Sequence, residues 1–342
     1  MNNNIDIYGP KPVALINQLI EAAGADPASL EGQLVTQIFQ TGLRLLAEGH
    51  DTGQLKVITR AMKEMRYAYD IFNRFKDKPC ISIFGSARTP ETHPDYLAAL
   101  NFSRAMAARG WMCMTGAANG IMKAGLEGPK IESTFGLSIR LPFEVASNTV
   151  IEGDPKLMIF RYFFTRKLMF MSHSNAMAAF PGGVGTMDEL FEVLTLIQTG
   201  KSNIIPIVLL EGADGTYWQA WRQYLSTNLL NNGWISPEDT RFFHHAATNE
   251  EAVEHILKFY SRYHSSRYVK DLLVIRLLSP LSQKQIDTLN LKYNRLIASG
   301  AIAASESLPE ETEHQELSRI VFHHTRKDFG LLRIMIDEIN DF

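Results

Sequence analysis

From residue 79 onward, short apolar runs rich in β-forming residues alternate with stretches of helical periodicity, and this alternation restricts the fold of the 342-residue chain more than any other feature. The runs are "CISIF" (80–84), "WMCMT" (111–115), "TFGLSIRL" (134–141), "AMAAF" (176–180) and "IIPIVLL" (204–210). Each gap is long enough for a crossover helix, the arrangement of a parallel sheet. Between the first two runs, "HPDYLAALNFSRAMAARG" (93–110) sets Tyr96, Leu100 and Met106 near one helical face and ends at Gly110, a natural stop. The expected fold is α/β: a doubly wound, Rossmann-like parallel sheet of five or more strands spanning residues 77–262. Ligands of such sheets sit beyond the carboxyl ends of the strands.

The flanks read differently. Residues 1–76 are expected to form an N-terminal helical segment of two or three helices, with Asp26 and Pro27 as the cap and first position of one of them. In the last, Leu55, Ile58, Met62, Met65, Tyr69 and Phe72 recur at spacings of three and four and make a narrow apolar seam. It suits packing on the neighbouring domain or, on a sharper reading, a subunit contact. Residues 263–342, after "FYSRYHSSRYVKD" (259–271), are expected to form a small C-terminal accessory α/β domain. Its parts are a strand "LLVIRL" (272–277), a helix carrying Ile286, Leu289, Tyr293 and Leu296 and ending at Gly300, strands "AIAA" (301–304) and "RIVFHH" (319–324), and a final helix near 328–340.

Composition narrows the function classes. A formal net charge of −3 and a pI near 6.4 give no basic excess that singles out nucleic acid. The basic stretch "HHTRKDFGLLR" (323–333) reads as a solvated helix start. Cys80 and Cys113 belong to no CxxC or Cys/His cluster and are expected to pack as small core residues. His244, His245, His323 and His324 lack metal-ligand spacing and read as surface or sheet-edge residues, so no metal site is expected. The stretch "MNNNIDIYGPKP" lacks the regions of a signal peptide, and no apolar run approaches the length of a membrane span. A soluble, cytoplasmic protein without membrane partners is expected.

Three strands end in glycine-bearing turns: "FGSART" (84–89) with Gly85, Ser86 and Arg88, "TGAANGIM" (115–122) with Gly116 and Asn119, and "FPGGVGT" (180–186) with Gly182, Gly183, Gly185 and Thr186. None is a Walker A loop or a full GxGxxG. In the third, glycines would admit close approach to backbone N–H groups at a helix start, which can hold a phosphate; a plain strand-to-helix turn fits the spacing equally. Thr186 and Glu189 are spaced as a capping box. Yet Asp188 and Glu189 would repel an anion seated there, so one of them is expected to face something that becomes positive. Upstream, Arg166 and Lys167 lie on a helix among Phe163, Phe164, Leu168, Met169 and Phe170, and "LPFEVASN" (141–148) offers Glu144 and Asn148 for polar contacts.

Taken together, "PGGVGTMDE" (181–189) resembles the PGGxGTxxE signature of the LOG (Lonely Guy) proteins, long labelled possible lysine decarboxylases. "TRK" (165–167), "GSAR" (85–88) and "TGAANGIM" fall in that family's order, and "MKEMRYAYDIF" (62–72) with the C-terminal extension is similar to its longer bacterial members. The resemblance implies a nucleoside 5′-monophosphate phosphoribohydrolase that releases a free base, with AMP or a modified AMP as substrate, and needs no cofactor or metal. It implies Glu189 and Arg166 as catalytic residues. It implies substrate contacts from Gly182, Gly183, Gly185 and Thr186 to the 5′-phosphate, with Gly85, Ser86, Arg88, Gly116, Asn119, Lys167, Glu144 and Asn148 completing the pocket. A homodimer or higher homo-oligomer is expected. The alternative is a non-catalytic carrier of a nucleotide or phosphate-bearing cofactor on the same fold.

Overall fold

The computed structural model describes residues 6–141 and 148–342, in two compact units, one ending at Tyr67 and the other spanning Ala68–Phe342. The first holds α1 (Pro10–Ala22), α2 (Leu30–Ala47) and most of α3 (Thr52–Asn73). Helix α2 starts later than "DP" suggests. Its cap is Ser29, whose hydroxyl oxygen accepts the Gly32 N–H at 3.0 Å, while Asp26 Oδ1 accepts the Ala28 N–H at 2.9 Å in the preceding turn. Of the α3 seam, Ile58 and Met62 are exposed. Phe72, in the second unit, is buried, stacked 3.9 Å from the His173 ring and 4.8 Å from Phe135.

The second unit follows the expected alternation: β1 (Cys80–Phe84), α4 (Pro94–Ala107), β2 (Met112–Thr115), α5 (Ile121–Glu127), β3 (Thr134–Ile139), β4 (Leu157–Phe160), α6 (Phe163–His173), β5 (Ala176–Ala179), α7 (Val184–Gln198), β6 (Ile207–Leu209), α8 (Tyr217–Tyr224), β7 (Phe243–His245) and α9 (Asn249–Phe259). The seven strands form one parallel sheet in the order β4-β3-β2-β1-β5-β6-β7. The fold is the doubly wound α/β class expected. Strands β4 and β7 escaped the sequence reading because both are short edge strands, and β4 exposes Ile159 instead of presenting a continuous apolar run. Central strands are buried on both faces: Ile81, Ile83, Cys113, Ala178 and Val208 pack with Phe102 and Phe180 in one core. Both cysteines are free and buried.

Chain order reverses between β1 and β5, which pair in register from Ile81–Ala176 to Phe84–Ala179. This is the topological switch point, where adjacent crossovers leave in opposite directions and open a crevice at the carboxyl ends. Two of the three glycine turns, those after β1 and β5, flank it.

A second, antiparallel sheet follows, ordered β10-β11-β9-β8, from β8 (Tyr263–Val269), β9 (Leu272–Leu277), α10 (Gln283–Lys292), β10 (Ile297–Ser305) and β11 (Ser318–His324), with α11 (Phe329–Asp341) after it. Strand β8 lies within "FYSRYHSSRYVKD", where the sequence reading places no element, and α10 ends at Lys292, well before Gly300. Gly300 lies inside β10 with φ +74°, where the pairing with β11 shifts register, so it serves a bulge instead of a helix stop. His324 is likewise no surface residue: it is buried on an inner strand, with Nδ1 2.6 Å from the Tyr268 hydroxyl.

The core of this sheet holds charge. Arg276 and Arg319 stand opposite each other on β9 and β11, and Glu311 lies against both. Arg276 donates to Glu311 Oε1 from Nε at 3.0 Å and Nη2 at 2.6 Å, and Arg319 Nη1 donates to Oε2 at 2.5 Å. Burial would raise the Glu311 pKa, but these bonds and the Leu308 N–H hold it below the usual carboxylate range.

Candidate active site

The turn after β5 runs straight into α7, and its three glycines have different reasons to be there. A Cβ on Gly182 would lie 2.1 Å from Thr186 Oγ1 and 3.0 Å from the Ser86 nitrogen, so Gly182 permits close packing. Around Gly183 and Gly185 nothing lies within 4 Å, and neither has positive φ. Neither packing nor backbone conformation calls for glycine at these two exposed positions. What an absent side chain leaves there is open access to the first N–H groups of α7, which no upstream turn can accept.

The capping box expected of Thr186 and Glu189 does not form. Helix α7 begins at Val184 with Gly183 as its cap and no side-chain bond to it. Thr186 is already in the first turn, its N–H reaching Gly183 O at 3.1 Å, and Glu189 lies a turn farther along, buried. The T-x-x-E spacing is offset from the true start by three residues because the glycines themselves enter the helix.

Ser86 ties the loops together: its N–H donates to Pro181 O at 3.0 Å, and its carbonyl accepts the Ile121 N–H at 3.0 Å. Gly120, at φ +62°, passes so near that a Cβ would meet Ser86 O at 2.2 Å. Gly85 gives β1 the same closeness to Ile121, 2.6 Å from a would-be Cβ. The Ser86 hydroxyl oxygen accepts the Arg88 N–H at 3.1 Å. Ser86, Arg88, Pro181 and Gly182 line a cavity of about 260 Å³ beside the PGG turn.

Arg166, on α6, reaches the same edge. Its guanidinium lies over the Phe163 and Phe170 rings at 5.1 and 5.8 Å, and Nη1 would be 3.6 Å from a Cβ on Gly116. Nη2 is 3.9 Å from Glu189 Oε1. The pair attract each other without a hydrogen bond, and Arg166 Nε and Glu189 Oε2 are buried with no hydrogen-bond partner among the described residues. Orphaned polar atoms on two facing charged groups are costly and mark a site built for further partners. Burial raises the Glu189 pKa to about 7, against the pull of Lys167 and Arg166. Burial also lowers the Arg166 pKa, with Glu189 and Asp188 opposing it.

Lys167 resolves the electrostatic difficulty of two adjacent carboxylates. Nζ lies 2.8 Å from Asp188 Oδ2, 2.5 Å from Glu192 Oε2 and 3.8 Å from Glu189 Oε2. Burial acts to lower its pKa, but the bonds to Asp188 and Glu192 prevail and raise it, so Lys167 stays charged. A lysine held this way neutralises Asp188 and is a poor imine-forming nucleophile.

Asn148 is buried and engaged: Nδ2 donates to Ala118 O at 3.1 Å and Oδ1 accepts the Val150 N–H at 2.9 Å, bracing the turn after β2. Asn119 is exposed on that turn. Glu144 lies outside the described residues. Two contributors went unread in the sequence. Tyr217, at the start of α8, donates its hydroxyl to Gly182 O at 2.6 Å, and Glu211 Oε2 accepts the Tyr217 N–H at 2.8 Å. The signal available was a fourth glycine-bearing turn, "EGADGT" (211–216), after β6. Among the described residues no cluster of metal-ligating side chains occurs, and no helix is long and apolar enough to cross a membrane.

Comparison with known proteins bears out the resemblance to the LOG family. A family model described as "Possible lysine decarboxylase" matches residues 106–256. The probable cytokinin riboside 5′-monophosphate phosphoribohydrolase LOGL3 of Oryza sativa is 29% identical over 56% of this chain and 88% of its own. The Mycobacterium tuberculosis cytokinin riboside 5′-monophosphate phosphoribohydrolase is 28% identical over 43% of this chain and 77% of its own. LOG3 of Arabidopsis thaliana is 34% identical over 28% of this chain, and the matched stretch is 42% of its length. Among solved structures, a molybdenum cofactor carrier protein from Chlamydomonas reinhardtii aligns over 53% of this chain and 97% of its own with 21% identity and a TM-score of 0.38.

Proposed function

From the premise of a LOG-type central domain, we propose that the protein hydrolyses the N-glycosidic bond of purine nucleoside 5′-monophosphates, AMP or a modified AMP, to free base and ribose 5-phosphate. The observation that carries this reading is the buried Glu189 carboxylate facing Arg166 one helical turn beyond two glycines that neither packing nor conformation requires. On this reading the 5′-phosphate sits against the N–H groups of Gly183, Val184 and Gly185, and the ribose extends toward Glu189. As the bond from C1′ to the base breaks, the base leaves with the electron pair and positive charge grows on the sugar. Glu189 stabilises that charge and takes the proton of the water whose oxygen joins C1′, while the departing base gains a proton. Arg166 orients the nucleotide and keeps part of the Glu189 population ionised at neutral pH. The reading requires Glu189 as carboxylate, Lys167 as neutraliser of Asp188, and no metal or organic cofactor.

The test is a panel of 5′-monophosphates incubated with the protein and assayed for free base. AMP is expected to head the purines. Tight nucleotide binding with no base released would leave a carrier in place of an enzyme.

Three substitutions test the geometry of the turn. Gly185→Ala meets open space and puts a better helix former in the first turn, so its stability should equal or exceed wild type by up to about 1 kcal/mol, while KM for the monophosphate rises about tenfold. Gly182→Ala, driven into Thr186, should instead lose about 1–3 kcal/mol; steady-state kinetics with thermal melts on both variants separate access from packing. Tyr217→Phe removes the hydroxyl that fixes the Gly182 carbonyl and should lower kcat/KM about fivefold through KM, with the fold intact.

A further inference from the structure

Several basic residues take no part in the site above. Arg333, read from the sequence as part of a solvated helix start, is 1% exposed. It lies in the wall of a second cavity, of about 710 Å³, together with Arg222 of α8, Arg241, His244 and His245 of β7, and His255 of α9. Only one carboxylate, Asp337, shares that wall.

The charge there is poorly matched. Asp337 binds Arg333 Nε, at 2.9 Å from Oδ1 and 3.1 Å from Oδ2, and also interacts with Arg241. Arg333 Nη2 lies 3.4 Å from His255 Nε2, and Nη1 is buried with no hydrogen-bond partner among the described residues. Arg222 and Arg241 are exposed, and their guanidiniums form no hydrogen bond or close ion pair among the described residues. Glu251 is engaged by His244 at 2.8 Å, and Glu211 stands 3.4 Å from His245. Three guanidiniums therefore share one wall carboxylate. The His255 ring, stacked 4.4 Å from His244, reports the same field: burial first, then Arg333 and His244, push its pKa down to about 3.

We propose that this cavity binds a phosphate-bearing small molecule, its phosphate held by Arg222 and Arg241 at the opening with Arg333 beneath. Guanidinium forks match phosphate oxygens in pairs, and a dianion offsets the two positive charges that Asp337 leaves unmatched. The volume falls within the range of small-molecule sites, about 300–1,000 Å³, so the phosphate arrives on a larger body. None of these residues lines the PGG turn, and the proposal stands whether or not the protein hydrolyses nucleotides.

Pyrophosphate is the probe, with histidine ring resonances of the full chain as the readout. Saturable shifts of the His244 and His255 signals are expected, because both rings line the cavity the anion enters. The double variant Arg222→Gln, Arg241→Gln, altered only at exposed positions, should weaken that affinity at least about tenfold and leave basal turnover unchanged. Pyrophosphate entering the PGG turn instead would shift neither ring. Unmoved rings, or equal affinity in wild type and double variant, would overturn the proposal.

Discussion

Glu189→Gln is expected to lower turnover of the monophosphate by about a thousandfold while making the protein more stable at pH 8. On the proposed reading, the first effect follows from removing the buried carboxylate that would face the reacting sugar. The second follows from linkage. The folded-state pKa of Glu189 is raised to about 7, above its ordinary value of 4.5, so its contribution is fully present below about 4.5 and is lost as pH rises through about 7. At pH 8 the ionised group costs the fold about 3 kcal/mol, which glutamine does not. Because α7 is capped by Gly183 and not by the 186–189 pair, the substitution breaks no cap. Wild-type activity should fall about tenfold per unit below pH 7, and the variant should lack the fall in stability that ionisation of Glu189 causes between about pH 4.5 and 7. Denaturant titrations at those pH values, paired with kcat, check both. A variant that keeps wild-type turnover removes Glu189 from the chemistry.

Glu311→Ala should destabilise the second unit by about 3–5 kcal/mol, more than any change proposed in the PGG turn, because it leaves two facing buried guanidiniums without their counter-ion. With its pKa depressed, Glu311 contributes stability above about 4.5 that is lost as pH falls through its lower folded value. Chemical denaturation at pH 7 and below pH 4 should therefore show a large gap between wild type and variant that narrows in acid. Replacing all three groups, Arg276→Met, Glu311→Leu and Arg319→Met, should recover most of the loss, since a hydrophobic set of similar volume removes the unpaired charge with its partner.

What the sequence reveals of this molecule follows from what each signal depends on. The central strands were readable because both faces are buried, which forces continuous apolar runs such as "CISIF" and "AMAAF". Edge strands β4 and β7 carry half of that pressure and dropped out. The helix start at α7 was placed three residues late because T-x-x-E is a local pattern, and the open space around Gly183 and Gly185, which sets the true start, is a property of the folded loops. Arg166 and Glu189 could be paired by motif order, but the 3.9 Å gap between them, and the diversion of Lys167 to Asp188 and Glu192, depend on how α6 packs against α7. The buried Arg276, Arg319 and Arg333 leave no trace in the sequence, since nothing local distinguishes a core arginine from a solvated one, whereas Tyr217 directly follows the glycine-bearing turn "EGADGT".

The measurement that bears most directly on the account is a product balance for AMP against adenosine at pH 7.5, with adenine and ribose 5-phosphate quantified together. The account predicts adenine and ribose 5-phosphate in equal amounts from AMP, and neither from adenosine, because the PGG turn needs the phosphate to seat the sugar before Glu189. Base release from adenosine at a comparable rate, or no adenine from AMP or any other 5′-monophosphate, would contradict it.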